Sequence, residues 1–261
     1  MWRPADVADA LRQPRAAFAE SAHRPWPVPK GPWVMGQTWQ DLLFAHWRVD
    51  EALLREHVPP QIPIDTFEGE AWIAVTPFVV TGARARFTLP VPGPARFPEI
   101  NVRTYATIDG KPGIWFFSLD AASRLAVAIA RRVYRVPYYP AEMSADRTGD
   151  RIRYAHRRTQ EDAPAASFVG EYRPVGPVQH AAPGSWEHWA CERYCLYTLD
   201  DEERVLRAEI HHPPWPLQPA ELDLAENRML DEVGFHPDEA PRLHFSRRQD
   251  VVFWLPYPSA S

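Results

Sequence analysis

Twenty-nine prolines are spread along the 261 residues, from Pro4 to Pro258, and they limit what this chain can build. Each proline fixes its own φ, removes a backbone donor and breaks a helix interior. Many short elements are therefore favoured over long helices. The runs between the prolines read mostly as strands: 39–48, 70–80, 99–107, 113–119, 151–157, 167–173, 203–211 and 249–255. Pro77 inside the second run marks a bulge or an edge position. The segment Asp109-Gly110-Lys111-Pro112-Gly113 is a turn between two strand-like runs and predicts a hairpin. Residues 89–98 are rich in proline and glycine and predict a loop. Helices are expected at 51–58, capped by Asp50 and stopped by Pro59-Pro60, and at 121–134, capped by Ser118 or Asp120. In the second of these Leu125, Ile129 and Val133 share one face. Two more helices are expected at 185–195 and 219–232. Strand follows strand without βαβ alternation, internal repeat or glycine-rich phosphate loop. The fold class expected is α+β, a mainly antiparallel, strongly curved or closed sheet with helices packed outside.

Composition narrows the function classes. Apolar residues make up 45% and charged residues 24%, an ordinary globular balance with a sizeable core. The net charge of −5 supplies no basic field for nucleic acid. No apolar run approaches the ~20 residues that span a bilayer, so no membrane partner is expected. The first residues, Met1-Trp2-Arg3-Pro4-Ala5-Asp6, lack the apolar segment of a signal peptide, and Cys191 and Cys195 make no disulfide scaffold. The expected compartment is the cytoplasm. Residues 1–32, with Val7, Leu11 and Phe18 in an amphipathic pattern before a Pro-rich stretch, read as a loosely docked N-terminal arm. Residues 33–261 read as a single domain. Lysine is confined to Lys30 and Lys111, which leaves little material for amine chemistry.

One strand carries an unusual face. In Phe97-Pro98-Glu99-Ile100-Asn101-Val102-Arg103-Thr104-Tyr105, side chains two apart share a side. Glu99, Asn101, Arg103 and Tyr105 thus line up opposite Ile100, Val102 and Thr104. Such a row is either a solvent-exposed face with an ordinary Glu–Arg pair or the lining of a cavity. The hairpin partner, Ile114-Trp115-Phe116-Phe117-Ser118-Leu119, is apolar on both faces, as in a strand buried on both sides. That neighbour favours the cavity, where the polar groups are satisfied or held for a ligand.

At this point a family resemblance becomes visible. The segments LLFAHWRVD (42–50), PEINVRTY (98–105), PGIWFFSLDA (112–121), ARRVYRVPYYPAEM (130–143), ERYCLY (192–197) and HHPPWPLQPA (211–220) together resemble the bacterial YqjF-like family, within the acetoacetate decarboxylase-like superfamily. They cover about residues 33–254. PKGPW (29–33) and DEALLREHVPPQIPID (50–65) resemble the N-terminal stretch of acetoacetate decarboxylase itself, and FPEI resembles its Tyr-x-Glu segment, which places a site glutamate at Glu99. The run AVAIARRVYRVPYY resembles the helix ending Gly-Arg-Glu that leads to Pro-Lys-Lys. Arg131 and Pro137 are kept, the glutamate becomes Arg132, and the two lysines become Tyr138 and Tyr139. A phenol forms no imine, so the superfamily's Schiff-base decarboxylation is not expected. Acetoacetate decarboxylase is a standard example of a lysine activated for that chemistry. The family's N-terminal substrate-binding arginine has no clear counterpart, although Arg103 could meet a carboxylate from another direction.

The resemblance implies a small-molecule ligand, an organic acid or carbonyl compound. Glu99 is the candidate general acid or base, and Tyr138 a proton donor or oxyanion stabiliser. Arg103, Asn101, Tyr105 and Arg131 are candidate ligand-binding residues. Lyase or isomerase chemistry without an imine is one outcome; a binding protein that has lost the chemistry is another, and a structural or interaction protein with an open polar face is a third. No cofactor is expected, and a homo-oligomer is left open. His188, Cys191 and Cys195 fall on one face of the helix expected at 185–195, but buried cysteines commonly pack as small apolar groups and no metal is expected there. His46 reads as a hydrogen-bonded core residue. His211 and His212, adjacent on a strand, point to opposite faces. Trp47, Trp115 and Trp215 are candidates to wall an apolar pocket.

Overall fold

Twelve strands form one sheet that closes on itself twice. The computed structural model describes residues 4–88 and 96–259. Among them α1 (Pro4–Ala17) precedes β1 (Met35–Val49), α2 (Glu51–His57), β2 (Ala71–Ala85), β3 (Arg96–Ile108) and β4 (Lys111–Ala121). Then come α3 (Arg124–Tyr134), β5 (Tyr138–Thr148), β6 (Arg151–Arg158), β7 (Ser167–Pro174), α4 (Trp186–Cys191), β8 (Cys195–Leu199) and β9 (Val205–His211). The chain ends with β10 (Gln218–Asn227), a 3-10 turn (Asp231–Val233), β11 (Arg242–Phe253) and β12 (Tyr257–Pro258).

The first ring runs β9-β8-β4-β3-β2-β1-β11 and closes where β11 pairs with β9; the second runs β4-β3-β2-β1-β11-β10-β7-β6-β5 and closes where β5 pairs with β4. A seven-strand and a nine-strand barrel thus share a five-strand wall. Pairing is antiparallel except for β4–β5 and β4–β8, which are parallel. Because side chains alternate across a strand, each wall strand feeds both barrels. On β3, Phe97 and Tyr105 pack into one core with Phe44, Phe78, Trp215 and Phe253, while Ile100, Val102 and Ala106 pack into the other with Ile152, Tyr154 and Phe168.

Local chemistry sets several of these elements. Asp109 and Gly110 both have positive φ, 55° and 66°, as a two-residue hairpin turn requires. Gly113 cannot carry a side chain, since a Cβ would lie 2.6 Å from the Tyr197 ring and 2.7 Å from Cys195 Sγ. Its absence lets β8 approach β4. Pro77 sits in a central strand, opposite Ile100, but on its other side the β1–β2 register is interrupted between Gln40 and Ala45. The bulge removes the demand for its missing N–H. The Asp50 side chain caps α2 by accepting from the Ala52 N–H.

Several sequence expectations need correction. Residues 219–232 are not a helix: Leu222 and Leu224 alternate on β10, and packing against β7 overrides the helix propensity of the intervening acids. The helix after β4 starts three residues late, capped by Ser123, because Ser118 and Asp120 are buried within β4. Its core side carries Val127 and Tyr134, leaving Leu125 and Ile129 exposed. The helix at 185–195 stops at Cys191, and Cys195 opens β8, so His188, Cys191 and Cys195 share no helix face. The loop expected at 89–98 lies outside the described residues as far as 95, and β3 has begun by Arg96. The N-terminal segment is held at several points. Gln13 donates to the carbonyls of Gln37 and Val251 at 3.0 and 2.7 Å. Arg24 and Trp26 both donate to the buried Glu209 carboxylate at 2.7 Å. These are firmer ties than a loosely docked arm would make.

Candidate functional site

The polar row of β3 lies inside the seven-strand barrel. Glu99, Asn101 and Tyr105 are buried, at 6%, 4% and 0% exposure, and Arg103 is half-buried. An open polar face, the arrangement expected of a structural or interaction protein, is therefore not what the strand presents. Nor is the row a simple ion pair. Residues four apart on a strand are separated by about 13 Å along the chain, and no salt bridge joins Glu99 to Arg103 among the described residues.

The row instead divides into two ends. At one end is Glu99, against Tyr138 on β5. Leu119 of β4 pairs with Tyr138 in parallel register while Ala121 of the same strand pairs with Glu99, and the Tyr138 hydroxyl is close enough to Glu99 to act on its titration. Burial, only partly offset by the Tyr138 hydroxyl, raises the Glu99 carboxyl from about 4.5 to about 8. Burial, with the nearby Glu99 charge second, holds the Tyr138 phenol well above its ordinary value. At neutral pH this end is a largely protonated carboxylic acid beside a neutral phenol.

At the other end is a cationic group built on Arg103 and Tyr105. His46 Nε2 lies 2.6 Å from the Tyr105 hydroxyl. Desolvation first, then the Arg103 charge, push the His46 imidazole well below its usual value, so it is neutral. The Arg103 guanidinium rests on the Phe44 ring at 5.1 Å, and its Nε is buried without a partner. A second arginine, Arg193, sits just before β8 between Tyr105 and Trp189, at 4.9 and 4.7 Å from the ring centroids, and donates to Asp65 at 2.6 Å. Burial raises the Tyr105 phenol to about 12 even though Arg103 and Arg193 counter the shift. Between the two ends Asn101 keeps a buried Oδ1 with no partner. The indole N–H groups of Trp72, Trp186, Trp189 and Trp215, which pack into or against the same core, are also buried without acceptors.

The remaining sequence candidates fall elsewhere. Arg131, near the end of α3, does not join the polar row. Its Nε donates to the Tyr138 carbonyl at 2.5 Å, and its side chain lines a cleft together with Trp115. Trp47 donates to the Glu239 carbonyl on the nine-strand side, whereas Trp215 packs edge-to-face against Phe44 inside the seven-strand barrel. His211 packs on Phe18 and stacks on His23, and His212 stacks on Tyr194, whose ring lies 5.3 Å from that of His23. Cys191 and Cys195 are buried thiols whose titration burial pushes upward. Among the described residues no group of three or more His, Cys, Asp or Glu is placed to hold a metal ion.

Two groups escaped the sequence reading. Arg193 stands at a helix-to-strand junction, where no periodicity assigns a face. The second is a buried triad: Asp120 accepts from Arg158 Nε and Nη2, each at 2.9 Å, and lies 2.8 Å from His156 Nε2. The alternation of Ile152, Tyr154, His156 and Arg158 on β6 was the available signal for this one. Lys111, the first residue of β4, lies 3.9 Å from Glu209. It is eight residues from Leu119 and therefore about 26 Å along the strand from the position paired with Tyr138.

Comparison with known proteins agrees with this architecture. The DUF2071 family, described as an uncharacterized conserved protein, matches residues 36–250. YqjF of Bacillus subtilis, itself described as uncharacterized, is 45% identical over 228 residues, covering 87% of this chain and 93% of that protein. Among solved structures, the enduracididine biosynthesis enzyme MppR complexed with pyruvate superposes with a TM-score of 0.61 at 12% identity, over 90% of this chain and 93% of that one. Acetoacetate decarboxylase from Legionella pneumophila superposes with a TM-score of 0.58 at 12% identity, over 92% and 93%. No described helix is long and apolar enough to cross a membrane. From its matched segments and its closed barrel alike, the chain belongs to the DUF2071 family, alongside YqjF, and has the acetoacetate decarboxylase-like fold.

Proposed function

We propose that the interior of the seven-strand barrel binds a small organic acid or carbonyl compound and moves a proton on it without an imine. The observation that carries this reading is Glu99, a buried carboxyl at about 8 with Tyr138 beside it and no cation paired to it among the described residues. Such a group sits close enough to neutral pH to give and take a proton. In its ionised form, the minor one at neutral pH, Glu99 would take a proton from the carbon next to a carbonyl and later return it, and Tyr138 would donate a hydrogen bond to the enolate oxygen. Arg103, whose Nε lacks a partner, would hold a carboxylate. The spacing along β3 suits an oxo acid with a chain between its carboxylate and its carbonyl better than pyruvate, the ligand of the MppR complex. The unpartnered indoles suit the acceptor oxygens and apolar body of such a ligand.

Lyase or isomerase chemistry at a carbonyl follows from these roles. A binding protein without turnover is the second reading, favoured by the position of Lys111, far from Tyr138 on β4. Proton NMR in deuterium oxide with acetoacetate, levulinate and longer oxo acids separates them. Catalysed loss of the signal next to the carbonyl, abolished in Glu99→Gln, is expected. Raised thermal stability with an oxo acid but no exchange would establish the binder instead, and neither effect with any oxo acid would refute both.

A further inference from the structure

We propose a second binding site, separate from the barrel interior, for an amphiphilic carboxylate at the fork where the two barrels part. β4 pairs with β8 at Ile114 and Trp115, then with β5 from Leu119 to Ala121. Between these pairings, at Phe116 to Ser118, the edge of β4 passes from one partner to the other. A bulge against β3 falls at the same place, since Val102 faces Ser118 and Arg103 faces Phe116.

The fork opens into a cleft of about 710 Å³. Part of its wall is apolar, contributed by Trp115, Phe116, Phe117, Val136 and Leu199. Its rim is basic, because the last turn of α3 delivers Arg131 and Arg132, with Arg135 just beyond. The acids on the same rim are already taken. Asp201 pairs with Arg135 at 2.5 Å, and Glu232 pairs with Arg158 at 3.0 Å. Arg131 bonds to two neutral oxygens, the Tyr138 carbonyl and Gln160 Oε1. Neither Arg131 nor Arg132 has a carboxylate partner among the described residues. The cleft therefore combines surplus guanidinium charge with an aromatic and aliphatic floor, which suits an anionic head on an apolar body. None of Glu99, Asn101, Arg103 or Tyr105 lines it.

Calorimetric titration of the full chain with octanoate, with octan-1-ol as the neutral control, tests this. Octanoate is expected to bind once per chain, and octan-1-ol about tenfold more weakly or worse. Arg132→Glu, a change at an exposed residue that no described side chain bonds, is expected to weaken octanoate about tenfold or more, and Arg132→Lys to retain most of the affinity. Glu99→Gln and Arg103→Ala are expected to leave octanoate affinity unchanged, so failure here and failure of the interior site are separate results. Equal affinity for acid and alcohol, no effect of Arg132→Glu, loss of binding in Arg103→Ala, or no binding at all would each overturn the proposal.

Discussion

The two barrels share a wall but treat buried polar groups differently. In the nine-strand barrel they are largely bonded. Tyr154 donates to the Glu99 carbonyl at 2.7 Å and Tyr172 to the Asp41 carbonyl at 2.7 Å. Asp120 is shared by His156 and Arg158, and Arg158 spans on to Glu232 and the Pro164 carbonyl. The unpartnered atoms there are few, His156 Nδ1 and Ser118 Oγ among them. In the seven-strand barrel Arg103 Nε, Asn101 Oδ1, Thr76 Oγ1 and four indole N–H groups are all buried without partners. A buried donor left unsatisfied costs about 1–3 kcal/mol. One interior is thus assembled for stability, and the other carries a standing cost that a ligand would relieve.

Substitutions on the two sides of the wall should expose that difference. The largest effect is expected for Asp120→Ala, which leaves Arg158 buried beside no carboxylate except Glu232. Chemical denaturation should show a loss of about 3–5 kcal/mol. Arg103→Met, on the opposite face of the wall, should change stability by less than about 1 kcal/mol or raise it, because an unpartnered group is removed. Comparable losses in the two variants would end the distinction between the barrels.

A pH-dependent effect is expected at Glu99. Its folded-state carboxyl is raised, to about 8 from about 4.5. Its contribution is fully present below about 4.5 and is lost as pH rises through about 8, because the unfolded chain releases the proton first. Wild-type stability should therefore fall across that window by an amount on the order of a few kcal/mol. Glu99→Gln should flatten the slope, as read from denaturation midpoints at a series of pH values. An unaltered slope in the variant would mean that Glu99 is not the group responsible. His46 has the opposite sign: its depressed value makes its contribution present above the usual histidine range and lost as pH falls below it.

Smaller still is Tyr105→Phe. It removes the hydroxyl 2.6 Å from His46 Nε2 and should cost about 1–2 kcal/mol, with weaker carboxylate binding as the second readout. A change in stability with oxo-acid binding intact would separate the cationic end of the row from ligand recognition.

Much of the fold was legible because its signals are local. Asp109-Gly110 fixed the hairpin, Asp50 the cap of α2, and strict alternation in β3 put Glu99, Asn101, Arg103 and Tyr105 on one side. Where two strands meet at long range the sequence said less. The sequence of β10 reads as a helix because its acids and alanines favour helices in isolation and only pairing with β7 makes it a strand. The contact of Tyr138 with Glu99 depends on a parallel β4–β5 register that no local pattern carries, and came into view through family resemblance. The double closure, and with it the division of one polar row from one satisfied triad, depends on β9–β11 and β4–β5 pairings distant in sequence.

The most direct test of the central claim, that the seven-strand barrel holds an uncompensated acid at the Glu99 end of the polar row, is an infrared titration of the Glu99 carboxyl in wild type minus Glu99→Gln. The expected difference spectrum shows a protonated carboxyl at neutral pH that disappears near pH 8. A Glu99 carboxylate already ionised at pH 6, titrating in the ordinary range near 4–5, would contradict it.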